Sequence, residues 1–160
     1  MLPDYLAAGP LLIERIRAAL PALRAVLPAG GLARIFAEAL PYSPADLAGI
    51  GEAAIQSPSV FVLYDGDRLG DSAGRGQAGI VHQRWMIVLA VRNARQGDGG
   101  AALLVDAGPL LAALLAALMG FQLSADHRPL VRVAAPAPGY SPALAYYPLA
   151  FETAISTLGD

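Results

Sequence analysis

A serine between glycines is the first group in this sequence that could do chemistry. Gly70-Asp71-Ser72-Ala73-Gly74 fits the G-x-S-x-G pattern of a nucleophile elbow, in which a strand enters a sharp turn and then a helix, presenting the serine beside an oxyanion hole. Asp98 or Asp106, then His127, come later in the chain in the order an acid and a base would need. Ser72 therefore carries the alternative reading, a small serine hydrolase. Context opposes it: the preceding strand is expected to end near Asp65, and the segment after the glycines alternates like a strand rather than a helix. No residue is assigned a catalytic role, and the protein is expected not to be an enzyme.

Two further patterns overlap that serine. Gly74-Arg75-Gly76-Gln77-Ala78-Gly79 fits G-x-G-x-x-G, but the helix that would receive a pyrophosphate is missing. Asp65, Asp67, Gly70 and Asp71 fall where a calcium loop has oxygens and its central glycine. Leu69 and Gly76 then stand where two further ligands should be, which leaves too few oxygens. His82 and His127 are far apart with no ligand cluster beside them, and the chain has no cysteine. No cofactor and no metal are expected.

Positioning elements come from the hydrophobic period. Leu12, Ile13, Ile16, Leu20 and Leu23 recur at helical spacing, predicting a helix from Pro10 to about Leu27 that Pro21 ends or kinks. Leu32–Leu40 reads as strand or short helix after Gly30-Gly31, and Ser43-Pro44-Ala45-Asp46 as a helix start. Val60–Tyr64 is a β-prone run covered on both faces, succeeded by a long glycine- and aspartate-rich loop, Gly66–Gly79. From Ile80 to Arg92 the period is two: Val81, Trp85, Ile87, Leu89 and Val91 face one way, His82, Arg84, Met86 and Arg92 the other. That predicts a half-buried strand in a hairpin with the first.

Asn93–Gly100 reads as a polar turn. Asp106 or Gly108 then caps a helix over Pro109–Met119, with the proline in its first turn, leucines on one side, alanines on the other and Gly120 as its stop. Leu130–Ala134 and Leu149–Ile155 are short strand candidates, with Pro148 at a strand start or an edge.

The 160 residues fit a single domain, 1–160, that buries roughly 70% of its unfolded surface. With 56% hydrophobic and 15% charged residues it folds rather than staying disordered. A net charge of −2 excludes a domain-wide basic surface, so no sequence-specific nucleic acid is expected as partner. All eleven cations are arginine, which reads first as codon bias and secondarily as a preference for guanidinium at subunit contacts. The apolar run Ala107–Ala125 is broken by Pro109, Gly120, Gln122 and Ser124, so it reads as a core helix; no membrane partner is expected. The N-terminus lacks the positive region of an export signal.

Taken in order, Ile13–Arg17, Val60–Gly66, Gln83–Asn93, Gly108–Leu111 and Tyr147–Phe151 resemble the tail terminator (tail completion) proteins of Mu-like phages and prophages, across about residues 11–155. The resemblance implies an α+β fold, a mostly antiparallel sheet of about four to five strands with two main helices packed on one face. It implies a homo-oligomer, a hexameric ring that caps the tail tube, ends its polymerisation and prepares head–tail joining. The partners would be the tail tube protein and a head–tail connector protein. The location would be the virion tail, assembled in the bacterial host cytoplasm. A ring needs two different patches per subunit. Arg84 and Arg92 on the polar strand face, with Asp65, Asp67 and Asp71 in the adjoining loop, are expected to supply such contacts.

Overall fold

The computed structural model describes residues 4–21, 23–26, 58–92, 101–140 and 144–159. In chain order its elements are α1 (Ala8–Ala19), β1 (Arg24–Val26), β2 (Ser59–Ala73), β3 (Ala78–Arg92), α2 (Ala101–Leu118), β4 (Val131–Val133), β5 (Gly139–Tyr140) and β6 (Leu144–Leu158). One sheet runs in the order β1-β2-β3-β6-β4, with β5 also on β6; β1 is parallel to β2 and every other pairing is antiparallel. The α+β class and antiparallel sheet are as expected. The unexpected strands β1 and β5, of three and two residues, bring the count among the described residues to six, and neither is long enough to show a period.

The alternation of β3 builds the core. Trp85, Ile87 and Leu89 face the same way as Val60 and Val62 of β2 and Tyr147, Leu149 and Phe151 of β6. On that face lie Leu12, Ile13 and Ile16 of α1 and Leu114, Ala117 and Leu118 of α2, so both helices cover one side of the sheet. Arg15 joins the helices, donating from Nε to the carbonyl of Ala117 at 3.0 Å while its guanidinium sits 4.1 Å above the Phe121 ring. The opposite face is not the wet one expected of β3. Leu63, Met86, Val88, Ala90, Tyr146 and Ala150 are all buried there, and of the polar side chains described on that face of β3, His82 and Arg84 both precede Met86.

Several expected boundaries move for identifiable reasons. Helix α1 stops at Ala19 because Pro21 drives Leu20 out of helical geometry (φ −134°, ψ 69°), and a strand rather than more helix comes next. Helix α2 begins at Ala101, so Pro109 lies inside it and neither Asp106 nor Gly108 is a cap. The helix-favouring run Ala101–Val105 extends it backwards, and Pro109 is exposed. Gly120 does stop it, at φ +73°, with its N–H donating to the Leu130 carbonyl at 2.9 Å. Strand β6 is twice its expected length, and Pro148 is its fifth residue. On the flank away from β3, Pro148 falls between the stretches that pair with β5 and with β4, so it is locally at an edge.

The largest correction concerns the supposed loop. Gly66–Ala73 continues β2 and pairs with β3 almost to its start, with register shifts between Tyr64 and Asp67 and between Leu69 and Ser72. The true turn is the short 3-10 stretch Gly74–Gly76, where Gly74, Arg75 and Gly76 all take positive φ. Polar composition suggests a loop; the pairing with β3 overrides it. The readings at Gly30-Gly31, Leu32–Leu40, Ser43–Asp46 and Asn93–Gly100 lie outside the described residues.

Candidate assembly surface

Because β2, β3 and β6 are each 15 residues long while the helices cover only part of them, the strands continue outward as a three-stranded arm. Residues 67–77 are exposed throughout, in contrast to the buried halves of the same strands. Beyond Phe61, no described strand pairs with the outer edge of β2.

Polar contacts on both faces fix the root of this arm. On the helix side, the Tyr5 and Tyr64 hydroxyls both donate to Asp67 Oδ2, the latter at 2.7 Å. Gln83, buried beneath, donates from Nε2 to the Tyr5 carbonyl at 2.6 Å, and Tyr64 packs on Trp85 with ring centroids 5.1 Å apart. Hydrogen bonds from Tyr5 and then Tyr64 hold the Asp67 carboxyl below its ordinary range. Burial first, and then the bond to Asp67, push the Tyr64 hydroxyl well above its ordinary value. The N-terminal segment is thereby strapped to the arm.

On the other face Arg84 acts across the sheet. Its Nε is 2.7 Å from Asp65 Oδ2, an ion-pair contact with the N–H not aimed along it, and its Nη2 donates to the carbonyl of Ala134 at 2.6 Å. Arg68 of β2 pairs with Glu152 of β6 at 3.0 Å, spanning β3. Both arginines thus tie strands that are not neighbours. A double-mutant cycle on Arg84→Ala and Asp65→Ala is expected to give a coupling of about 1 kcal/mol in urea unfolding, the upper end for a partly exposed pair. A coupling of zero would remove this staple from the account.

The expected contact residues therefore divide. Asp65, Asp67 and Arg84 are engaged within the chain. Asp71 is exposed and has no partner among the described residues. Of Arg92 only the backbone is described, closing β3. Tyr5 and Gln83 are site residues that sequence reasoning misses. Nothing local links Tyr5 to a carboxylate 62 residues away, whereas Gln83 stands on the apolar side of β3, where a lone polar residue is a signal in itself.

Ser72 lies on an exposed stretch of β2, opposite Gly79, and leads through the 3-10 turn into β3. The strand–turn–helix of an elbow is not formed there. His127 lies elsewhere: its Nδ1 is 2.7 Å from Ser124 Oγ, and its buried Nε2 meets no partner. Asp98 and the side chain of Asp106 are outside the described residues. With Asp65 and Asp67 bonded as above, no group of three metal-ligating side chains occurs among the described residues.

Burial lowers the pKa of His127 below its ordinary 6.5, opposed in part by Asp126. The folded form thus resists the proton that the unfolded chain accepts. Stability from this group is complete above pH 6.5 and falls as pH drops from there through the depressed value. His127→Gln is expected to flatten urea midpoints over that interval; an unchanged slope would contradict the assignment.

A family model described as phage tail terminator protein matches residues 42–157, most of the chain. The chain belongs to this family. No curated protein matches it. As a phage tail terminator family member it is a structural protein of the virion tail. The match takes in the arm, the Arg84 and Arg68 pairs and both buried faces of the sheet, but not α1 or Tyr5. The strap onto Asp67 thus reaches the matched region from outside it. No helix among the described residues is long and apolar enough to cross a membrane.

Proposed function

We propose that the protein assembles into a closed ring, of six copies, that caps the tail tube and ends its polymerisation, leaving a surface for the head–tail connector. It works by shape and contact, without catalysing a reaction or holding a cofactor, after assembly in the host cytoplasm. Residues 1–160 act as one unit. The observation that carries this reading is the family match over residues 42–157. It is supported by the arm, a long projection whose outer half is exposed, as expected of a segment that meets another subunit.

Native mass spectrometry of the full chain, alone and with tail tube protein, tests it. A single closed oligomer in either condition is expected. A monomer in both would overturn the reading. Incubation with a fluorophosphonate is expected to leave Ser72 unlabelled, and stoichiometric labelling there would return the hydrolase.

A further inference from the structure

The two sides of the sheet end differently. On one side the arm presents Leu69, 83% exposed, and Asp71. On the other, β4 is the last strand; it presents Val131, 61% exposed, and Arg132, with Arg128 exposed just before it. None of Asp71, Arg128 and Arg132 has an ion-pair partner among the described residues, whereas Asp65, Arg84, Arg68 and Glu152 are already paired. Each side thus offers exposed apolar side chains near charge without an ion-pair partner: on the arm Leu69, with Leu158 at the end of β6, and Asp71, with Arg75 at the turn beyond it; at β4 Val131 with Arg128 and Arg132.

We infer that the occupant of both is a second copy of this chain: the arm of one subunit docks on the β4 edge of the next, Leu69 against Val131 and Asp71 against Arg132 and Arg128. This rests on the ring reading and specifies it. The two patches are different and lie at opposite sides of the sheet, so the contact is heterologous and repeats head to tail, which closes into a ring when the rotation allows. The register shifts flanking Asp67–Leu69 interrupt the outer edge of β2, which discourages indiscriminate strand pairing and leaves side chains to select the partner. The Tyr5, Tyr64 and Gln83 contacts hold the arm's root in place beforehand, so less ordering is required on docking.

The chain has no cysteine, which makes the test clean. Leu69→Cys and Val131→Cys both replace exposed side chains, and a short bismaleimide then reports their proximity. The double variant is expected to give a covalent ladder ending at the native ring size. An equimolar mixture of the two single variants should stop at dimers, and neither single variant should cross-link alone. Asp71→Arg and Arg132→Asp should each raise the concentration needed for assembly at least about tenfold, and combining the two reversals within one chain should recover it. An oligomer of wild-type size that gives no ladder and ignores both reversals would overturn the arm contact while leaving the ring intact. Cross-linking of Leu69→Cys alone, or to tube protein instead, would also overturn it. A chain monomeric with and without tube protein would overturn both.

Discussion

Phe151→Ala is expected to lower the unfolding free energy by about 3–5 kcal/mol, enough to remove much of the stability of a domain this size. The ring is fully buried in the interior of β6, directly opposite Trp85 on β3 and Arg132 on β4. Strands on both flanks and the helices above limit collapse into the vacated space, so the cavity term adds to the lost transfer energy. The measurement is urea unfolding at fixed protein concentration, since subunit association adds to apparent stability. A loss below about 1 kcal/mol would mean that Phe151 is not held in this core.

Pro109→Ala is expected to act in the opposite direction, stabilising the protein by about 2 kcal/mol. Inside a helix, proline removes one backbone hydrogen bond and crowds the preceding turn, at roughly 3 kcal/mol relative to alanine, while its stiffening of the unfolded chain returns up to about 1 kcal/mol. Pro109 is the ninth residue of α2 and its side chain is exposed, so the substitution removes no core contact. The result also decides between two helices. If the helix began at Pro109, the proline would sit where its missing N–H costs little, and alanine would gain almost nothing. A clear gain in the denaturation midpoint supports the start at Ala101.

Pro109 marks one boundary of what is readable in the chain. The Trp85, Ile87, Leu89 alternation places the central strand and its helix-facing side correctly, because a period of two over a dozen residues has no competing interpretation. Gly120 and Pro21 mark helix ends through local backbone geometry alone. Elements decided by distant partners are not readable. Gly66–Ala73 has the composition of a loop and becomes strand because β3 lies beside it, itself backed by β6 along its whole length. Leu144–Pro148 is likewise drawn into β6 by β3, with Pro148 where the outer flank of β6 is unpaired.

For the site, the types are legible and the partners are not. Residue type and parity pick out Asp65, Asp67, Asp71, Arg84 and Arg92 as one polar group, yet do not say that Asp65 and Arg84 face each other while Asp71 is left without a partner. Parity also assigns Gln83 to the buried side, but its partner, the Tyr5 carbonyl, is brought there only by the fold of the N-terminal segment. The Ser72 motif lacks its helix, and the structure supplies the reason: Gly70 lies within β2, and the closing glycine of the pattern, Gly74, opens the turn of a hairpin into β3.

The role proposed for this protein is to terminate a tube rather than to line or decorate it. Electron microscopy of tails assembled with a tagged copy, labelled by gold against the tag, tests that most directly. The expected image has label at one end of each tube, the head-proximal end, with tubes of uniform length when the protein is present and overlong ones when it is omitted. Label distributed along the tubes, or unchanged lengths on omission, would contradict the account.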